Sequence, residues 1–427
     1  NNVVKDLNTG ESITIKEQDR YVGTLLNGVS GVGKTSSAIL NSINDDFVQK
    51  TYNREKRHLA LANMLMEEKA YIPKYYPEFD ESLIVPLDEY KGEYEEILNK
   101  YSNAGVTFMA PNNTVFKKIL QLAEAKRIKV NVIDPEKDWT KEFSCVSNKN
   151  IDSFYIPLGL SEEQRIIQIT SQAAVFTDVL VALNETSGNV DPYFKDINKS
   201  VTTNISIAVM LANNIRGKQT GILEIQNCID NFMELKPYIA EIEKYYGSVK
   251  TTIAFDNKNS KDAMDSVRSA MDKDKQKKEQ ELEEQDTREN PYRSTIVFIK
   301  QELLSDKNFE KMYDQARGLR NLLSNSLLID LRVRRLLTAT EDNRLDFDKM
   351  LYNGEITLVN TAIAFSQSIS TALGLFFQLN MKIAVLRRPE NNRVLHSLII
   401  DECSQYVHPF FNEVVSLYRQ YGIAVTL

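Results

Sequence analysis

Cysteine and histidine are both scarce in this 427-residue chain, with three of each. Cys145, Cys228 and Cys403 are widely spaced and odd in number. They build neither a disulfide framework nor a zinc pattern, and they suit a reducing, cytosolic setting. His58, His396 and His408 are too scattered for a histidine metal site. A surplus of positive charge is missing as well. The net charge is −7, so any nucleic-acid contact has to be local, in a loop or channel. The sequence also lacks the ~18 uninterrupted apolar residues of a membrane helix. Its most apolar long segment, Ala362 to Leu386, is broken by Gln, Ser and Asn. No signal peptide, internal repeat or Gly/Ser-rich linker is visible. The chain opens at Asn1 rather than a methionine and stops inside the apolar run YGIAVTL, so it reads as a piece of a longer protein.

What remains is a globular composition, 42% hydrophobic and 26% charged. The length predicts about two or three domains. Short β-branched runs alternate with helical stretches, the pattern of an α/β fold with a mostly parallel sheet. The expected strands are 21–28, 105–110, 129–134, 354–362, 395–402 and 422–427. Their runs are near-continuously apolar rather than alternating, as strands buried on both faces should be. Residues 1–160 are expected to form the first part of the α/β domain, with a helical insertion at about 44–101. Residues 161–325 show apolar spacing near 3.6 and read as an all-α domain, interrupted by a charged segment at 251–292. Within it, 272–290 mixes both charges with almost no apolar residue and predicts a solvated helix or linker. Residues 326–427 return to the sheet.

One stretch carries specific chemistry. Gly28-Val29-Ser30-Gly31-Val32-Gly33-Lys34-Thr35 satisfies G-x-x-x-x-G-K-[ST], after a strand and before a helix. Glycines let successive N–H groups point into one concavity and keep Cβ atoms out of the space that phosphates need. Gly28, Ser30, Gly31, Val32 and Gly33 would form this nest. Lys34, Thr35 and Ser36 open the helix whose N-terminal end completes it. Lys34 would reach the β- and γ-phosphates of ATP, and the Thr35 hydroxyl would ligate Mg2+.

Such a loop needs an acidic strand end beside it. VLHSLIIDECSQY supplies an apolar strand ending in Asp401-Glu402. Asp401 would hold the metal and Glu402 would deprotonate the attacking water. The two halves are expected on adjoining β-segments, and the long stretch of chain between them must leave the sheet and return to it.

With these elements placed, the chain resembles the type IV coupling proteins of conjugation, TraG/TraD-like members of the FtsK–HerA group. The resemblance rests on five segments: the approach to the P-loop, DPYFKDINKSVTTNISIAVML (191–211), DFDKMLYNGEITLVNTA, LIIDECSQY, and FFNEVVSLYRQYGIAVTL. It implies a RecA-like motor domain carrying an inserted all-α domain and working as a homo-hexamer, although a soluble fragment is compatible with a monomer. It further implies a place at the cytoplasmic face of the bacterial membrane, with an N-terminal anchor outside this chain. The implied partners are the relaxosome and its relaxase, single-stranded DNA, and the ATPase and inner-membrane proteins of a type IV secretion channel. By position Arg419 matches the family's arginine finger, which completes a neighbouring subunit's site.

Two departures stand out. The acidic turn that relatives carry after the second strand is replaced here by FMAPNNT, with Ala110 and Asn112. The polar motif expected after the last strand falls beyond Leu427. Two other functions are compatible with the same residues: a nucleotide-gated relaxosome receptor with little motor activity, and another translocase or secretion ATPase of the group. The basic clusters 117–129 and 331–337 are either solvated helix faces or part of a DNA channel, and 71–79 reads as a packed loop or partner surface.

Overall fold

The computed structural model describes residues 2–5, 12–15, 23–26, 34–67, 91–100, 104–152, 154–186, 192–247, 290–340, 342–390, 393–406 and 417–427. The segments 71–79 and 251–289 lie outside them. The chain divides into two compact units, residues 1–152 with 330–427, and residues 153–329.

The first unit is α/β. A short antiparallel pair, β1 (Asn2–Lys5) and β2 (Ser12–Ile15), stands apart from the main sheet. That sheet contains β3 (Gly105–Ala110), β4 (Val130–Ile133), β5 (Val146–Asn148), β6 (Ile356–Asn360), β7 (His396–Ile400) and β8 (Ile423–Thr426). Its order is β5-β4-β6-β3-β7-β8, and every pairing is parallel. β3, β6 and β7 are buried at every residue, which explains why their sequences lack alternation.

Helices cover both faces. Ile39, Ile43 and Phe47 pack with Phe116, Ile119 and Leu120 against Val106, Phe108 and Val132. Thr107 points the other way and meets Met350 of the helix Phe347–Tyr352. That helix in turn touches Gln367–Leu386 through Phe347 and Phe377, ring centroids 5.2 Å apart. Among the described residues, helix Gln367–Leu386 is one of two that are long and apolar enough to cross a membrane. Its buried residues include Leu373, Phe376, Phe377 and Met381, so its apolar character is spent on the core of this unit.

The helix entered at Leu40 runs unbroken to Glu67. Residues 44–67 therefore continue that helix and do not begin a separate insertion. It crosses the sheet lengthwise: Lys50 Nζ donates to Gly354 O (2.5 Å) and Arg54 Nη1 to Arg127 O (3.1 Å), both just ahead of strand starts. Its N-terminal end is thereby left at the edge where the strands finish.

The second unit is helical. Pro192–Ile215 is its centre, buried at Val201, Ile205, Ala208, Val209 and Leu211. Glu162–Thr186, Ile222–Asp230 and Lys236–Tyr246 pack around it. A side-chain hydrogen-bond cluster joins two of these helices. Asn213 donates to Thr220 (3.1 Å) and Glu224 (3.0 Å), and Glu224 accepts from Gly221 N (3.1 Å) at the start of its own helix.

Candidate functional site

In a parallel sheet the strand ends gather polar loops along one edge, where ligands bind. That edge carries Asp134 after β4, Asn360 closing β6, Asn112 and Asn113 after β3, and Asp401-Glu402 after β7.

The chain leading to the glycine-rich segment 28–33 pairs on the far side of β8. Thr24 bridges Thr426 in parallel, with Thr24 N donating to Val425 O (2.8 Å) and Leu26 N to Leu427 O (2.7 Å). It therefore pairs with β8, and β8 lies between it and the acidic strand β7. The expected adjoining arrangement is corrected: the two halves of the site flank one intervening strand. They still meet. Thr35 Oγ1 donates to Asp401 Oδ2 at 3.0 Å, across 366 positions of sequence. Lys34, Thr35 and Ser36 belong to a π-helical turn, Lys34–Ile39, that runs into the long helix. Local π geometry recurs at functional sites. Gly28, Ser30, Gly31, Val32 and Gly33 lie outside the described residues.

The acidic turn is held from both sides. Asp401 N extends the β7–β3 ladder by donating to Met109 O (2.9 Å). Glu402 is exposed and has left-handed backbone angles, φ 52 and ψ 47. Its N–H donates to Asp401 Oδ1 at 3.1 Å. A non-glycine residue in this region costs on the order of 1–3 kcal/mol, and such residues cluster at working sites. Cys403–Gln405 then forms one tight turn, closed by Tyr406 N donating to Cys403 O (2.9 Å).

Asp134 is an acidic residue at this edge that the sequence reading passed over. It is wholly buried. It accepts from Trp139 Nε1 (2.9 Å), Glu136 N (2.8 Å), Asn113 Nδ2 (3.2 Å) and the side chain of Asn360. Burial raises its pKa, and these donors offset part of that rise. So an Asp-Pro-Glu turn does occur on the edge, after β4 instead of β3. The signal was present in KVNVIDPEKD, an apolar run ending in Asp just as LIIDE does.

Arg419 stands elsewhere. It is exposed, on the turn Tyr418–Tyr421 that precedes β8. Because His396 pairs with Ile423, that turn lies at the edge where strands begin. Asp401 is five residues further along β7, which at ~3.3 Å per residue separates the two by roughly 15 Å.

The basic clusters are partly neutralised. Lys117 pairs with Glu142 (3.0 Å), and Arg332 pairs with Asp330 (2.8 Å) and Glu136 (3.1 Å) while lying 3.6 Å over the Phe365 ring. Among the described residues no group of three or more His, Cys, Asp or Glu gathers as a metal site. No protein-family model and no curated protein matches the chain.

Proposed function

We propose that the chain is the RecA-like ATPase part of a conjugative type IV coupling protein, using ATP to drive relaxase-bound single-stranded DNA towards a secretion channel. The 3.0 Å contact between Thr35 and Asp401 supports this reading more than any other observation. It brings a G-K-T hydroxyl and a strand-end carboxylate together from opposite ends of the sequence, as a shared nucleotide–metal site requires.

Thr35 and Asp401 offer hard oxygen donors of the kind Mg2+ prefers. A single carboxylate plus a hydroxyl is enough where phosphates and water complete an octahedral shell. The implied metal and nucleotide therefore fit the residues present. Bound there, Mg2+ would neutralise charge on the phosphates. The chain's own residues divide the remaining work. The P-loop amides and Lys34 would grip phosphate oxygens, Asp401 and Thr35 would hold the metal side, and Glu402 would take the proton from the attacking water. Arg419, at the opposite end of the strands from its own subunit's acidic pair, would serve the next subunit of a homo-hexameric ring.

Steady-state turnover with and without single-stranded DNA tests this reading. The full-length protein should hydrolyse ATP, several-fold faster with DNA, and Glu402→Gln should abolish turnover while still binding ATP. A protein whose turnover ignores DNA, and whose Glu402→Gln form still supports transfer in cells, is instead a nucleotide-gated receptor.

A further inference from the structure

Glu402 raises a local question: what keeps a residue with a Cβ in the left-handed region? Strain of this kind persists only where the surroundings over-determine it. Upstream, Asp401 is locked into the ladder through Met109 O. Downstream, the first fixed point is Tyr406, four residues on and 1% exposed.

Tyr406 is held in two ways. Its hydroxyl lies 2.5 Å from Thr361 Oγ1, which is itself 2.9 Å from Ser370 Oγ. Thr361 immediately follows β6, and its N–H donates to Ala110 O (3.1 Å), so this partner is part of the sheet. The Tyr406 ring lies over Gly374 in the helix Gln367–Leu386. A Cβ at position 374 would come within 2.5 Å of ring atom Cδ1, so glycine is what lets the ring in. Four residues thus span two immobile points, and the left-handed conformation of Glu402 is the shape that closes the span.

We propose that Tyr406 is a positioning residue, whose Thr361-bonded hydroxyl and Gly374-seated ring hold the Glu402 backbone in its left-handed form. This rests on the reading of Glu402 as the residue that takes a proton from water. Tyr406 does not touch the reacting atoms. Through it, the ends of β6 and β7 and the helix Gln367–Leu386 are tied to the acidic turn.

The test uses full-length protein, ATP turnover in the presence of single-stranded DNA, and the binding of a fluorescent ATP analogue. Tyr406→Phe keeps the ring and removes the hydroxyl. Thr361→Val removes its partner at similar volume. Displacements near 1 Å cost up to ~100-fold in rate, so each variant should lower kcat by about tenfold or more with nucleotide Kd unchanged. Losing both partners of a buried hydrogen bond is nearly neutral for folding, so the double variant should regain the part of the Thr361→Val loss that comes from the unpaired Tyr406 hydroxyl, while the part from the Ser370 hydroxyl, which loses Thr361 in both variants, remains. Its kcat should stay as low as in either single variant, because one interaction has been removed twice. A purely structural role predicts the opposite, with rate recovering alongside stability in the double variant. That recovery, or an unchanged kcat in Tyr406→Phe, overturns the proposal. A wild-type protein without turnover overturns the reading beneath it.

Discussion

Thr107 Oγ1 and His396 Nε2 lie 2.8 Å apart inside the sheet, with both residues fully buried. Thr107 also reaches Met350 Sδ at 4.0 Å, so the consistent assignment has His396 Nε2–H donating to Thr107 and Thr107 donating onward. Burial pushes the His396 pKa down to about 3, with Arg388 and Lys50 adding to the shift. The folded state therefore holds this ring neutral where the unfolded chain protonates it, below about pH 6.5. Stability from this group is complete above pH 6.5 and declines as pH falls towards 3, by at most about 1.4 kcal/mol per pH unit. His396→Gln should flatten the curve in that window. Urea midpoints for both proteins between pH 7.5 and 4.5, numbers chosen to bracket the ordinary histidine range, check it. Parallel curves would mean that the ring is already charged or exposed.

Gly422 has φ +76, and a Cβ there would come within 2.6 Å of Arg393 O, a backbone atom that cannot swing aside. Strain and overlap should add, and Gly422→Ala should cost about 3 kcal/mol. Gly318 is the internal control. It sits exposed in the short helix Arg317–Asn321 with nothing within 4 Å of an added Cβ. Gly318→Ala should stabilise its unit by about 0.5–1 kcal/mol through helix propensity. Denaturant unfolding of the two variants should shift in opposite directions.

The elements of the sheet were more legible than their order. β3, β6 and β7 could be located because a strand buried on both faces is apolar throughout, whereas the strand expected at 21–28 shows only the bridge at Thr24 among its described residues, 23–26. Order is not local. Whether β8 lies beside or beyond β7 depends on where its helix packs, and no residue in GIAVTL encodes that alone. Composition alone ends the first helix at about 44, because Lys, Glu and Tyr replace apolar residues beyond it, although Phe47 and Leu61 keep one face of the helix buried. In the acidic turn, the carboxylates were legible from type and position. The left-handed angles of Glu402 and the Tyr406 anchor were not, since each depends on contacts with Thr361 and Gly374 brought in by folding.

Asp401 accepts a hydrogen bond from Thr35 and also from the Glu402 amide, through different oxygens. Asp401→Asn keeps the size but removes the charge that a divalent ion needs. Nucleotide binding by the wild-type protein should tighten when Mg2+ is added and weaken again with EDTA. In Asp401→Asn the affinity should hardly respond to either. Titrations of a fluorescent ATP analogue with and without Mg2+ decide this, and an undiminished metal response in the variant would remove Asp401 from the metal site.

Arg419 offers the sharpest separation between a single-subunit site and a shared one. Its turn lies at the starting edge of the strands and Asp401 at the finishing edge, roughly 15 Å away by strand rise. An arginine side chain reaches less than half of that, so Arg419 cannot stabilise charge in its own subunit's site. If it completes a neighbour's, Arg419→Ala should bind nucleotide normally and lose turnover by at least about 100-fold, since such arginines contribute 10³–10⁵ elsewhere. Mixing makes the prediction specific. When Arg419→Ala subunits are titrated into wild-type protein, the first additions should depress turnover through mixed contacts. A Glu402→Gln and Arg419→Ala mixture should regain some activity, because one pairing in such a ring joins an intact arginine to an intact acidic pair. Strictly proportional loss, with no recovery in that mixture, would mean that each subunit works alone and that Arg419 is an ordinary exposed side chain.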